Sequence, residues 1–301
     1  MAQRSYKTEC PKCGKDNFYV TPRNGMGYCF SPTCHYVERD GKAYTGKERV
    51  RSDNVAEIRA LYYTAAHYYH SALNTQARNF LHARGFTDET IKRLLIRYCP
   101  VGTAPLYRSD IAKEAGLANA RNDAFLANRI TFPYFKTDKI ITDIRARALD
   151  PHDELKYKSP FGDVYYRGAI YPYNYNLARG AKRILITEGE IKADIAVQAG
   201  FPTIALPGIS AWRVGFAQEE NQEVVIVFDN ESNPNTQREV IAAVRKVAGE
   251  LVKPKIAVLP IMSGQKKAEI DTFVNMFGVE LFRSIIDNAL TYEAWNVLQT
   301  F

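Results

Sequence analysis

The sequence has no apolar run approaching the roughly 18 residues needed to cross a bilayer, which excludes a protein of membrane-spanning helices. Its start, Met-Ala-Gln-Arg-Ser-Tyr-Lys, has no apolar segment of a secretory signal, so a secreted protein is not expected. No Gly-x-x-x-x-Gly-Lys-Ser/Thr segment occurs, so no P-loop motor is encoded. Gly208-Ile-Ser210-Ala-Trp212 lacks the closing glycine of a nucleophile elbow. What remains is an ordinary globular balance: 24% charged and 46% hydrophobic residues, with 18 Gly and 14 Pro. A chain of 301 residues is long enough for two compact domains and a small module.

Charge divides the chain. Up to Arg183 there are 30 Lys/Arg against 18 Asp/Glu, a net of +12, and from Ile184 onward 10 against 15, a net of −5. A basic first part and an acidic last part fit a polyanion-binding half joined to a carboxylate-rich half, and fit equally the chance solvation of two surfaces.

Four of the five cysteines fall in one short stretch, as Cys10-Pro-Lys-Cys13 and Cys29-Phe-Ser-Pro-Thr-Cys34. Two close pairs on two turns bring four thiolates around one tetrahedral Zn2+. Between them Phe18-Tyr19-Val20 reads as a strand, Asn24-Gly25 as a turn and Tyr28 as the returning strand. Such a hairpin is too small to bury a core, so the metal has to hold it. His35 directly follows Cys34 and is an alternative fourth ligand, Cys34 being preferred. Cys99 stands alone and reads as a small buried hydrophobe.

Residues 41–54 are polar and read as a linker. From Val55 the apolar spacing is helical, with Ile58, Leu61, Tyr62, Ala65, Tyr69 and Leu73 on one face and Asp53-Asn54 as an N-cap. A second helix covers about 75–84 and stops at Gly85, and Thr87-Asp88-Glu89 caps a third. His67 and His70 read as part of an aromatic packing face rather than as ligands. Residues 129–134 and 140–147 alternate as β-strands, which places Arg145 and Arg147 on one face. With Arg129, Lys156, Lys158 and Arg167 they interleave cations with aromatics, a composition suited to a groove for single-stranded nucleic acid or to a solvated sheet face.

From Ile184 strands and helices alternate: strands 184–187, 203–206, 224–228 and 256–259, with helices at about 191–199 and 235–251. That order predicts a parallel sheet with flanking helices. Glu188-Gly189-Glu190 follows the first strand and Asp229-Asn230-Glu231 the third, which places both beyond the strand C-termini, where the functional crevice of an α/β sheet lies. Converging carboxylates need a divalent cation between them, and oxygen donors favour Mg2+ or Mn2+; Glu269 and Asp271 are further candidates. Either acidic cluster taken alone would serve as a helix cap.

The order of these parts resembles the DnaG-type primases and the primase halves of phage primase-helicases. Cys10 to Cys34 resembles their zinc ribbon. Ala66-His67-Tyr68-Tyr69-His70, Ala77-Arg78-Asn79-Phe80-Leu81 and Arg84-Gly85-Phe86 resemble the start of their catalytic core, Asn128-Arg129-Ile130-Thr131-Phe132-Pro133 one of its strands, and Lys156-Tyr157-Lys158-Ser159-Pro160 its lysine-tyrosine segment. Thr187-Glu188-Gly189-Glu190, Phe228-Asp229-Asn230-Glu231 and Ile270-Asp271-Thr272-Phe273-Val274 resemble the Toprim motifs. Two positions depart from the family pattern: Glu231 stands where aspartate is usual, and Lys192 stands four residues after Glu188 where another aspartate is common, with Asp194 nearby.

The resemblance implies a zinc ribbon over 1–40, a linker over 41–54, a basic mixed α+β template- and nucleotide-binding part over 55–183, and a Toprim-like catalytic domain over 184–301. It implies RNA primer synthesis on single-stranded DNA from ribonucleoside triphosphates. Glu188, Asp229, Glu231, Glu269 and Asp271 would then hold catalytic Mg2+ or Mn2+, with Glu188 ligating metal or relaying protons. Arg129, Arg145, Arg147, Lys156, Lys158, Arg167 and Lys192 would face template or nucleotide, and Lys12, Lys15 and Arg23 of the zinc module would meet template. A replicative helicase would act in trans within the primosome, in the cytoplasm of a bacterium or of a cell carrying a phage or mobile element. The alternatives are a Toprim nuclease or phosphodiesterase, and a non-catalytic DNA-binding module.

Overall fold

The computed structural model describes residues 6–21, 26–29, 37–39, 42–43, 54–153, 155–160, 171–206, 219 and 221–299. It divides into two compact units, Met1–Val50 and Arg51–Phe301.

In the first unit an antiparallel meander runs β1 (Tyr6–Glu9), β2 (Asp16–Thr21), β3 (Met26–Cys29), β4 (Val37–Arg39) and β5 (Lys42–Ala43), each strand pairing with the next. Strands run through Phe18–Val20 and Tyr28, as the sequence reading has them, with Phe18 opposite Cys29 and Tyr19 opposite Tyr28; the turn at Asn24-Gly25 lies outside the described residues. Among the described residues the buried apolar ones are Cys10, Phe18 and Cys29, with Cys13 and Val20 packed against them.

The second unit begins with α1 (Val55–Ser71), which buries Ile58, Tyr62, Ala65, Ala66 and Tyr69. Asn54 occupies its N-cap without a side-chain cap bond and donates instead to Glu114 at 3.0 Å. Asn74 caps α2 (Thr75–Ala83) through Ala77 N–H, and Thr87 caps α3 (Asp88–Arg93) through Thr90 N–H. Between them Gly85 takes a left-handed φ of +90°, and a Cβ there would clash with the Asn275 side chain. The strands β6 (Arg97–Cys99), β7 (Arg129–Thr137), β8 (Ile140–Ala148) and β9 (Tyr157–Lys158) form an antiparallel sheet, with α4 (Asp110–Glu114) on the way from β6 to β7. Cys99 is fully buried, its thiol 3.6 Å from the Tyr107 hydroxyl.

After α5 (Tyr175–Ala178) the Toprim-like part follows: β10 (Arg183–Glu188), α6 (Glu190–Gln198), β11 (Thr203–Leu206), β12 (Glu223–Ile226), β13 (Asn230–Glu231), α7 (Pro234–Ala248), β14 (Lys255–Ile256), β15 (Lys267–Ala268), α8 (Ile270–Asp287), β16 (Leu290–Thr291) and α9 (Tyr292–Leu298). The sheet order is β11-β10-β12-β14-β16. β11, β10, β12 and β14 are mutually parallel, as the strand–helix alternation predicts, and β16 closes the edge antiparallel. β10 and β12 read as continuous apolar runs because helices cover both faces of the sheet.

One core joins the basic part to the Toprim-like part: Leu81, Ile91, Phe132 and Tyr134 are buried in the same cluster as Leu185, Ile195, Val225, Phe273 and Phe282. The hairpin β7–β8 is thereby fixed against the C-terminal ends of β10 and β12, where the acidic residues lie. Among the described residues no helix is long and apolar enough to cross a membrane.

Candidate active site

At the C-terminal edge of the parallel sheet a cleft of about 560 Å³ opens toward the antiparallel hairpin. One wall carries Glu188, Glu190, Lys192, Asp229, Lys267, Glu269 and Asp271, and the other Arg84, Arg145, Arg147, Lys156 and Tyr157. Three chain segments deliver the acids. Glu188 ends β10, and Gly189 follows with φ +80°, a left-handed turn that lets α6 start at once. Asp229 follows β12, and its backbone N–H donates to Glu188 Oε1 at 3.3 Å. Glu269 is the N-cap residue of α8 and Asp271 stands in its first turn, where the helix dipole favours negative charge.

Four of the five acids pair with a cation. Lys192 Nζ lies 2.6 and 2.5 Å from the two Asp229 oxygens and 3.4 Å from Glu269 Oε1. Lys267 Nζ lies 2.6 Å from Glu269 Oε1 and 3.9 Å from Asp229 Oδ2. Arg84 donates to Asp271 Oδ2 at 2.6 Å, while Asp271 Oδ1 is buried with no hydrogen-bond partner. Arg145 donates to the buried Glu190 at 2.9 Å, and the Tyr134 hydroxyl donates to the same oxygen at 2.6 Å. Burial alone would discharge the Lys192 ammonium, but Asp229 and Glu188 overcome it and raise its pKa. Burial pushes the Asp229 carboxyl up, against the pull of Lys192.

The opposite wall is a column of alternating guanidinium groups and rings. Arg145 lies 4.4 Å from the Tyr157 ring centre; Arg147 lies 5.4 Å from Tyr157 and 5.3 Å from Phe80; Arg84 lies 5.8 Å from Phe80. Stacking of this kind holds the guanidinium planes in place without neutralising them. Arg147 Nη1 donates to the Tyr157 hydroxyl at 2.9 Å rather than to a carboxylate, and its Nε has no partner. Lys156 has its pKa lowered, by burial first and then by Arg147 and Lys267.

Of the residues singled out from the sequence, Glu188, Asp229, Glu269, Asp271, Arg145, Arg147, Lys156 and Lys192 line this cleft. Glu231 is outside its wall: it pairs with Lys267 along β13–β15, and its N–H donates to Gln237. Arg129 is buried and donates to Asp153 at 2.5 Å and to Leu155 O at 2.6 Å. Lys158 donates to Phe125 O at 3.0 Å over the Phe125 ring. Neither lines the cleft. Asp194 is wholly buried between Tyr173 and Asn174, which bars it from standing in for the missing aspartate at 192. Arg167 lies outside the described residues. Lys267, Arg84 and Phe80 were not singled out as site residues. Lys267 could have been suspected from its place two residues before Glu269, and Arg84 from its place before the helix-ending Gly85.

In the first unit the sulfur atoms of Cys10, Cys13 and Cys29 lie within 4.8 Å of one another, a group able to hold a metal ion. Cys13 and Cys29 are 3.7 Å apart. The Cys10 thiol pKa is lowered to about 7: burial would raise it, and the backbone N–H groups of Cys13 and Lys12 with the neighbouring thiols bring it down. Cys34, His35 and Arg23 lie outside the described residues, and Lys12 and Lys15 are exposed.

The family "Domain of unknown function (DUF3854)" matches residues 177–280. A DNA primase of Staphylococcus epidermidis is 30% identical over 189 residues, covering 54% of this chain and 31% of that protein. A DNA primase of Rickettsia felis is 23% identical over 287 residues, covering 84% of this chain and 45% of that protein. The chain thus spans less than half the length of these curated relatives. The zinc-binding and RNA polymerase domains of the Aquifex aeolicus primase superpose with a TM-score of 0.60 at 15% identity, over 97% of this chain and 80% of that one. A DnaG primase catalytic domain bound to single-stranded DNA gives a TM-score of 0.58 at 19% identity, over 78% of this chain and 82% of that one. The chain has the fold of the DnaG primases, a cysteine-bearing ribbon and a Toprim-like core, and its sequence relatives are bacterial DNA primases.

Proposed function

We propose that this chain synthesises short RNA primers on single-stranded DNA by metal-dependent nucleotidyl transfer. The observation that carries the reading is the meeting, in one cleft, of Glu188, Asp229, Glu269 and Asp271 with the stacked wall of Arg84, Arg145, Arg147 and Tyr157. Carboxylate oxygens are the donors that Mg2+ and Mn2+ prefer, and the unpartnered buried Asp271 Oδ1 fits such an ion. Glu188, Asp229, Glu269 and Asp271 would hold it. When bound, it would lower the pKa of the primer 3′-hydroxyl and screen the charge of the α-phosphate and departing pyrophosphate.

The chain's own groups do the rest. Arg147 and Lys156 face the cleft as cations suited to phosphate oxygens. Tyr157 presents a ring already stacked on guanidinium planes. Arg145 and Arg84 hold Glu190 and Asp271 in place. Cys10, Cys13 and Cys29, with Cys34 as fourth ligand, would hold structural Zn2+ in the first unit, and Lys12 and Lys15 would meet the template. Ribonucleoside triphosphates are the substrates, and a replicative helicase is the partner in trans. A bacterial cytoplasm, reached from the chromosome or from a phage or mobile element, is the setting this reading assigns, and the bacterial relatives support it.

Incubating the full chain with single-stranded template, ribonucleoside triphosphates and Mg2+ tests the reading. Short RNA products that disappear with Asp229→Asn support it. Template degradation would instead indicate a nuclease, and no product on any template would remove the enzymatic reading.

A further inference from the structure

The acids of the cleft share a wall, yet no three of them bring an oxygen each within 4.8 Å of one another; among the described residues only the cysteine trio does so. What stands between Asp229 and Glu269 is ammonium. Lys192 contacts both Asp229 oxygens and reaches Glu269 Oε1, and Lys267 contacts the same Glu269 oxygen while standing farther from Asp229, at 3.9 Å. The Lys192 side chain is 14% exposed and that of Asp229 is 9%, so the pair is largely shielded from water. Two carboxylates held this close in a buried wall require a cation between them. An ammonium meets that need with three N–H donors, each taking up a lone pair that a divalent ion would otherwise coordinate. The chain enforces the arrangement: Lys192 is the third residue of α6, which starts directly after the Gly189 turn, and Asp229 stands three residues past the end of β12, the parallel neighbour of β10.

We propose that Lys192 is a built-in cation of the cleft, occupying in the free protein the place between Asp229 and Glu269 that a divalent ion needs, so that the two cations exclude one another. The inference rests on the metal-dependent reading of this cleft and goes beyond it, since it makes Lys192 a competitor of the metal rather than a phosphate contact alone. Binding of Mg2+ or Mn2+ then requires the ammonium to leave Asp229. The resting site therefore has a low intrinsic affinity for metal, and the displaced ammonium becomes available to an incoming anion.

The test is Mn2+ binding to the full chain without nucleotide, followed through the electron paramagnetic resonance signal of free Mn2+. Lys192→Met is expected to bind Mn2+ at least about tenfold more tightly than the unmodified chain, and adding Asp229→Asn should abolish the gain. Equal or weaker binding by Lys192→Met overturns the proposal. A second measurement needs no variant: acetic anhydride labelling of Lys192, read by mass spectrometry, should be slow without metal and several-fold faster at saturating Mn2+. Unchanged labelling on the metal-loaded chain also overturns it. Neither readout uses primer synthesis. If the chain makes primers but Lys192 shows no competition, this inference fails alone. If Lys192→Met gains Mn2+ but the unmodified chain forms no primers, the functional reading fails alone.

Discussion

Arg84, the C-cap residue of α2, donates to Asp271 in the first turn of α8 across 2.6 Å and 187 positions of sequence. The pair ties the basic part to the acidic wall and fixes one carboxylate of the cleft. The Asp271 side chain is 1% exposed, so without Arg84 its charge would sit in a nearly dry site. Arg84 is itself partly exposed, which weakens the effect relative to a wholly buried pair.

Arg84→Ala is therefore expected to destabilise the second unit by about 2 kcal/mol, a fall in Tm of about 4–8 °C. Adding Asp271→Asn should restore part of that loss, because the charge left unpaired is removed. Calorimetric melts of the two single variants and the double variant check this. A double variant less stable than Arg84→Ala would show that the ion pair is not what couples the two elements.

Removing metal from the first unit should expose its thiols. Metal analysis is expected to find zinc in the purified chain and to lose it with Cys10→Ser. With about half of a thiol of pKa near 7 ionised at neutral pH, Cys10 and its neighbours should react fast with a disulfide reagent once a chelator is added. Cys99, buried and with its pKa raised by that burial, should stay slow. Equal reactivity of all thiols before chelation would refute the metal cluster.

The basic wall separates into cations that hold the protein together and cations that face outward. Arg147 lies in the cleft and donates to Tyr157, so Arg147→Ala should weaken binding of a labelled single-stranded oligonucleotide. It should also lower the magnitude of the log–log salt slope by about 0.7. Arg129, engaged by Asp153 and Leu155, should leave the slope unchanged when replaced by alanine, and should lower Tm instead. Fluorescence anisotropy at several salt concentrations distinguishes the two; an equal loss of slope for both would remove the distinction.

These contrasts mark where sequence pattern stopped being informative. β11 was legible to the residue, because a buried strand bounded by Gly200-Phe-Pro202 and a glycine has little freedom of register. The acids beyond two strand ends were legible for the same reason, and so was the shared face of Arg145 and Arg147. Period-two alternation does not say which face of a sheet is covered, so Arg129 reads like Arg145 although one is buried in an ion pair and the other lines the cleft. Two-residue ladders such as β13–β15 carry no periodicity, so the position of Glu231 opposite Lys267 could not be read. Asp271 follows β15 and stands in the first turn of α8, a helix for which the sequence reading names no bounds. Lys192 was visible as an odd residue, but its partner 37 positions away was set by parallel pairing of β10 and β12.

Asp194 shows how far burial can change a residue that reads as a candidate ligand. Its carboxyl pKa is held well above the usual carboxylate range by burial, with Asn174 and Tyr173 pulling the other way and Glu190 adding to the rise. A group raised in this way contributes stability that is complete below its unfolded value of about 3.9 and is lost as pH rises toward its folded value. Asp194→Asn removes the ionisation and keeps the contacts, since the amide oxygen can accept from Asn174 Nδ2 and the amide nitrogen can donate to the Tyr173 oxygen. Thermal melts at pH 5 and pH 8 should show the variant gaining on the unmodified chain as pH rises. If the variant instead loses ground between those values, Asp194 is charged in the folded protein, and the Tyr173 and Asn174 donors outweigh burial.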